Sequence, residues 1–317
     1  MANLKSLAKD TAIYGMSSII GRFLNYLLVP LYTAKMAAST GAYGVITNVY
    51  SYTALLLVLL TFGMETTYFR FATKEGEDPK RVYSTTLIMV GGVSLLFVIL
   101  VLLFIHPISG WMGYADHPEY VGTMFVCVAI DAFQSIPFAH LRHIHRPVKF
   151  AALKLLFIGM NILMNLLYFV AVPLLYENAG TRFLVEGFYN GQLDIAWVFY
   201  INLFCSAFTM LFFRRELTGF RYCFDARLAR RMWHYSWPIL ALGIAGILNQ
   251  TADKIIFPFV APHVGREVNV QLGIYGAASK IAMIMAMITQ AFRYAYEPFV
   301  FGKSKDKDNR ETYAKAM

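Results

Sequence analysis

Residues 11–33 read TAIYGMSSIIGRFLNYLLVPLYT, and this stretch decides the fold. It is long enough to cross the roughly 30 Å of a bilayer's hydrocarbon core. Yet it carries Arg22 midway, a run of small residues (Gly15, Ser17, Ser18, Gly21), and Pro30 near its end. A charge at that depth costs about 2.5–3.5 kcal/mol on insertion scales, so it faces a water-filled cavity or a partner rather than lipid. Shifting the numbering by 232 superposes Arg22 on Lys254, Pro30 on Pro262, Tyr43-Gly44 on Tyr275-Gly276 and Glu65 on Glu297, without a gap. Two homologous halves are expected, each opening with a charged, proline-interrupted membrane helix.

The composition agrees: 58% of the chain is hydrophobic and 15% charged, where a soluble domain averages about 25% charged. The apolar residues fall in eight runs, at about 11–33, 41–64, 84–105, 120–141, 150–175, 193–213, 236–260 and 273–301. The expectation is an all-α, polytopic membrane protein with eight transmembrane helices, in a two-bundle architecture whose second bundle is incomplete. Residues 1–213 form the first six-helix bundle and 214–235 a basic linker. Residues 236–317 supply the first two helices of the second bundle and a tail. The first run is too long, and with Arg22 too charged, for a cleaved signal peptide.

The net charge of +9 does not imply a nucleic-acid partner, because the basic residues lie in alternate loops. Of the 28 Lys and Arg, 20 fall in the N-terminal tail, the 2–3, 4–5 and 6–7 loops and the C-terminal tail, and 3 in the opposite loops. Basic loops stay cytoplasmic, which predicts both termini inside. Within the linker, Asp225 is a candidate N-cap for a short helix over 225–235. Leu228, Met232 and Tyr235 form one face and Arg227, Arg230, Arg231 and His234 another, as in a helix lying in the headgroup layer.

The chain carries no P-loop, GxSxG, HExxH or paired CxxC, so an enzyme is not expected, nor a cofactor. Cys127, Cys205 and Cys223 are too scattered for a disulfide framework. His140, His143 and His145 flank Arg142 and Arg146, which disfavours a bound cation and suits a headgroup-facing helix end.

The informative residues are charges at membrane depth. Arg22, Lys154, Lys254, Lys280 and Arg293 stand against Glu65, Asp131, Asp253 and Glu297. For Lys154, Glu65 and Glu297 internal pairing or snorkelling accounts for the charge. Arg22 and Lys254 are central and related by the repeat, which points to a cavity. Asp253 and Lys254 are helix neighbours about 100° apart, so pairing between them is not required. Asn249, Gln250 and Thr251 occupy the repeat positions of Ser17, Ser18 and Ile19. Tyr14, Tyr26, Tyr50 and Tyr52 suit either the membrane interface or stacking on sugars. Pro30 and Pro262 predict a bend or an end in their helices.

The stretches LAKDTAIYGMSSIIGRFLNYLLVPLYT (7–33), AYGVITNVYSYTALL (42–56), PFAHLRHIHRPVKFAALKL (137–155) and YSWPILALGIAGILNQTADKIIF (235–257) together resemble the Wzx-type polysaccharide flippases. These belong to the multidrug/oligosaccharidyl-lipid/polysaccharide exporter superfamily. The resemblance implies two six-helix bundles around a V-shaped cavity, and 12 to 14 helices in all. With eight present, it implies a chain truncated at its C-terminal side. It further implies movement of undecaprenyl-diphosphate-linked oligosaccharide from the inner to the outer leaflet of the bacterial cytoplasmic membrane. The expected partners are that lipid, the bilayer and other polysaccharide-assembly membrane proteins. A diphosphate would be held by Arg22, Lys254, Lys280 and Arg293 with Asn25, Asn249 and Gln250, while Glu65, Asp131, Asp253 and Glu297 serve coupling or structural ion pairs. The alternatives are a multidrug exporter or lipid II flippase of the same superfamily, or a membrane-embedded sugar polymerase or ligase. Short loops on the non-basic side disfavour the enzyme, and five cations against four acids disfavour an exporter of cationic drugs.

Overall fold

The computed structural model describes residues 20, 23, 24, 26–36, 41–261 and 266–303, with backbone alone at 284 and 286–303. Arg22, Asn25 and Pro262 lie outside the described residues, as do the side chains of Arg293 and Glu297. The protein is all-α and polytopic. Among the described residues, five helical stretches are long and apolar enough to cross a membrane: Ala42–Ala72, Pro79–Leu103, Pro118–His143, Pro147–Glu177 and Ala226–Val260. The helices are α1 (Leu28–Lys35), α2 (Ala42–Thr61), α3 (Met64–Ala72), α4 (Pro79–Leu103), α5 (Ile105–Trp111) and α6 (Pro118–His143). Then come α7 (Pro147–Leu166), α8 (Val172–Glu177), α9 (Ala196–Leu211), α10 (Arg214–Thr218), α11 (Ala226–Val260) and α12 (Arg266–Lys303).

Local chemistry sets the boundaries. Helices α4, α6 and α7 each start on a proline, whose missing donor is harmless in a first turn. Asp78 adds a cap at α4, accepting from the Lys80 amide at 3.0 Å. These starts precede the predicted apolar runs, because helical hydrogen bonding continues past the hydrocarbon into polar sequence. Between α2 and α3, Phe62 and Gly63 both take left-handed backbone and redirect the chain. A Cβ at Gly63 would sit 2.9 Å from Ile239 of α11, so glycine serves both the turn and the close approach. Helices α7 and α8 join through a π turn, Leu167–Ala171. Pro173, in the first turn of α8, donates no amide hydrogen bond, a sufficient cause for the wider turn. Around Pro30 the helix breaks at Leu27, whose amide bonds the Leu24 carbonyl at 3.0 Å, and restarts with Pro30 in the first turn of α1.

One boundary corrects the sequence reading. Residues 225–235 do not form a separate short helix: Ala226–Val260 is one helix of 35 residues running through Pro238. Asp225 is its N-cap, accepting from the Arg227 and Leu228 amides. Leu228 and Met232 are fully buried, in one cluster with Phe62, Tyr68 and Phe71 of the first half. Their apolar face meets protein rather than headgroups, so the helix has no reason to stop at residue 235.

Helix α2 lies at the centre, packed against α6, α11 and α12. Helix α6 is sandwiched between α4 and α9, and α7 lies on α9. One core layer gathers Val49, Val121, Phe169 and Phe199, the other Met64, Tyr68, Val82 and Met232. Leu95, Leu96, Leu102 and Leu103 of α4 are exposed, as expected of a lipid-facing surface.

Candidate functional site

A cavity of about 490 Å³ opens between the two halves. Helices α11 and α12 contribute Gln250, Lys254 and Lys280 to its wall. The first half contributes Asp131 and Asn161, with Asn202, Tyr32, Tyr43 and Tyr50. Tyr26 completes a set of four tyrosines.

Lys254 is buried. Its ammonium donates to the Gln250 carbonyl at 3.2 Å and to both Asp253 oxygens at 3.2 and 3.0 Å. The two helix neighbours therefore do pair, because the long lysine arm folds back along the helix. Tyr275 fixes the carboxylate by donating to Asp253 Oδ2 at 2.5 Å. The Lys254 carbonyl accepts from Asn48 of α2 at 3.1 Å, and Asn48 in turn accepts from Tyr114 at 2.9 Å. Lys280 differs: among the described residues it has no carboxylate partner. Its ammonium stands 5.6 Å from the Tyr26 ring centre, and Tyr26 donates to Met283 Sδ at 3.2 Å. Lys254 and Lys280 both line the cavity.

The opposite wall is a polar seam inside the first bundle. Ser206 of α9 donates to Asp131 Oδ1, and Asn202 donates to the Tyr50 hydroxyl. Cys127 lies 3.6 Å from Ser206 Oγ and 4.0 Å from Asp131 Oδ2. Below α1, Tyr32 donates to Asn165 at 2.8 Å, and Asn165 donates to the Asn161 carbonyl at 2.8 Å.

Of the expected site residues, Lys254, Lys280, Gln250 and Asp131 share this cavity, and Asp253 joins through Lys254. Asn249 is exposed on α11 and lines no part of it. Its neighbour Gln250 takes the inward direction, since consecutive helix positions diverge by about 100°. Glu65 is not there either. It pairs with Arg142 across α3 and α6, and Arg142 also stacks over Phe69, 5.0 Å to the ring centre. Tyr26 and Tyr50 line the cavity, whereas Tyr52 packs edge-on against Trp111. His140 is no headgroup residue: it stacks on Tyr83 at 4.1 Å and shares a 2.8 Å hydrogen bond with Tyr68. Arg22, Asn25, Arg293 and Glu297 fall outside the described side chains.

Sequence reasoning missed Asn161, Asn165, Asn202 and Ser206. Their signal was present: Asn161/Asn165, Asn202/Ser206 and Cys127/Asp131 each repeat polar chemistry one helical turn apart inside an apolar run. Polar side chains at membrane depth are costly unless they face one another or a cavity.

No family model matches the sequence, and no curated protein matches it. Solved structures do. The MATE multidrug transporter DinF-BH, solved as a complex, superposes with a TM-score of 0.62 at 14% identity, over 94% of this chain and 64% of that one. The fold is that of the MATE transporters. An inward-facing multidrug resistance MATE family transporter of the MOP superfamily gives 0.62 at 17% identity, over 89% and 63%. A MOP superfamily transporter from Pyrococcus furiosus, described as having a binding pocket of reversed polarity that suggests a different function, gives 0.61 at 17% identity, over 96% and 67%. The chain thus spans less than two thirds of the length of the first two.

Proposed function

We propose that this chain carries the substrate cavity of an alternating-access transporter for an amphiphile with an anionic head. Its best-fitting cargo is an undecaprenyl-diphosphate-linked oligosaccharide, moved from the inner to the outer leaflet of a bacterial cytoplasmic membrane with both termini cytoplasmic. The observation that carries this reading is Lys280, an ammonium in the cavity wall with no carboxylate partner among the described residues, beside Lys254. A bare diphosphate could not cross hydrocarbon, since moving an isolated ion out of water costs tens of kcal/mol in the idealised limit. Two ammonium groups replace its hydration with charge-assisted hydrogen bonds. The cavity falls within the roughly 300–1,000 Å³ of small-ligand sites. That room suits a head group, leaving the lipid tail in the bilayer. Tyrosines Tyr26, Tyr32, Tyr43 and Tyr50 offer stacking faces and hydroxyls to sugars. Arg22, the repeat partner of Lys254, belongs to the same proposal.

A second reading is a multidrug exporter. It draws on the multidrug names of the similar structures and on Asp131, the acid in the same cavity. Cell assays separate the two. Lys254→Ala and Lys280→Ala are expected to cut surface glycan assembly about tenfold or more, the effect of losing one charged hydrogen bond, at unchanged abundance of inserted protein. Glycan assembly that survives both changes, together with loss of cationic-dye efflux in Asp131→Asn, would establish the second reading instead.

A further inference from the structure

The linker that follows α9 is pinned from beneath and charged on its outside. Phe204, Phe208 and Phe212 recur at every fourth position, which puts them on one stripe of a helix. Their rings meet in succession, 6.0 and 5.4 Å between centres. Phe204 and Phe212 are about half exposed, while Cys205, Ser206 and Thr209 on the other side of α9 are buried. The ladder is therefore a lipid-facing strip, and it ends where the basic sequence begins. Arg214 and Arg215 of α10 come next, both exposed.

The chain then folds back on itself. The Gly219 amide donates to the Arg215 carbonyl at 3.0 Å, a turn so tight that a Cβ at Gly219 would stand 2.7 Å from that oxygen. The Tyr222 hydroxyl donates to the Leu217 carbonyl at 2.6 Å, which keeps the exposed Arg221 beside α10. Inward-pointing groups hold the segment to the first bundle. Phe213 is fully buried and packs on Phe138, 4.8 Å between ring centres. Glu216 is buried and accepts from Lys149 at 2.7 Å, and the Cys223 amide donates to Ser84 Oγ at 2.7 Å. Glu216 is thus engaged by Lys149, and among the described residues none of the three arginines pairs with a carboxylate.

We propose that Phe204, Phe208 and Phe212 together with Arg214, Arg215 and Arg221 bind an anionic phospholipid of the leaflet on the basic side. The phenylalanine ladder offers apolar surface to an acyl chain. Just beyond it, the planar fork of arginine matches a phosphate bidentately. The backbone beneath is already hydrogen-bonded, so binding orders side chains alone, which lowers its entropic cost. A zwitterionic head group brings its own cation, which the arginines repel, so charge selects the anionic lipid. The bound lipid would tie the linker to the membrane surface, the role that residues 225–235 cannot play with their apolar face against protein. This goes beyond the transport reading and does not rest on it. The ligand is a lipid of the surrounding membrane rather than cargo, and none of these six residues lines the cavity.

Native mass spectrometry of the 317-residue chain in detergent tests the site, with dioleoyl phosphatidylglycerol titrated against dioleoyl phosphatidylcholine. The parent chain should bind the phosphatidylglycerol more tightly. Arg215→Gln should weaken it about fivefold, the share of one arginine at a membrane surface. Changing all three arginines to Gln should bring it down to the level of the phosphatidylcholine, and Phe204→Ser should weaken both lipids. Lys254→Ala combined with Lys280→Ala should leave the preference intact, because those ammonium groups lie in the cavity. The site is overturned if the parent shows no preference, if the triple variant keeps it, if Phe204→Ser leaves both lipids unaffected, or if the cavity variant loses it. The readout needs no transport, so the lipid site and the transport reading can fail separately.

Discussion

The two halves touch at both ends of the molecule, by opposite physical means. At one end α2 and α12 meet through glycine. Gly41, which precedes α2, and Gly44 of α2 are related to Gly273 and Gly276 of α12 by the same 232-residue offset, and all four lie at the contact. A Cβ at Gly44 would collide with the Asn269 carbonyl, and one at Gly276 would come 2.5 Å from Thr47 Oγ1. At the other end, beside the basic loops, α11 meets α3 and its surroundings through rings and charges. Phe62 packs on Trp233 at 5.1 Å, Arg70 stacks over Tyr235 at 4.7 Å, and Arg231 pairs with Glu77 at 2.7 Å. Arg81 reaches Asp225 at 3.6 Å. Backbone-to-backbone packing depends on shape and is lost all at once, whereas exposed ion pairs weaken gradually as salt screens them. One end is a backbone fit; the other joins a buried apolar cluster that includes Leu228 and Met232 to ion pairs that salt can loosen.

That contrast can be broken at its stronger side first. Gly44→Leu should force α2 from α12 and cost roughly 1–3 kcal/mol or more by overpacking. Thermal unfolding in detergent should record a clear fall in midpoint, independent of ionic strength. An unchanged midpoint would mean that the glycine contact is not a tight fit. A smaller effect is expected at the other end. Arg231→Ala removes an ion pair whose arginine is half exposed, worth under about 1 kcal/mol. The difference from the parent chain should disappear at about 1 M salt, where the Debye length is about 3 Å. A salt-independent loss would assign Arg231 a packing role instead.

Much of this was legible in the sequence because membrane helices announce themselves by length and apolarity. The 232-residue offset pointed to Lys254 and to the YG pairs before any geometry was available. What it did not disclose was the partner of each charge. Asp253 pairs with Lys254 through a flexible arm that helix geometry alone does not predict. Glu65 is claimed by Arg142, far away in sequence. The interfacial helix over 225–235 was misread because an amphipathic face has the same pattern whether it rests on lipid or on Tyr68 and Phe71. The asparagines of the polar seam were overlooked because uncharged polar residues barely disturb an apolar run.

The central claim is that the wall bearing Lys254 and Lys280 receives a negative head group. Equilibrium binding in nanodiscs tests it most directly, with a short-chain polyprenyl diphosphate disaccharide set against a lipophilic cationic dye. The parent chain should bind the diphosphate more tightly than the dye. Lys280→Glu should weaken the diphosphate by about 30–100-fold, as about two to three kcal/mol of attraction turns to repulsion, and should leave or improve the dye. Tighter binding of the dye by the parent chain, or diphosphate binding indifferent to Lys280→Glu, would contradict the account.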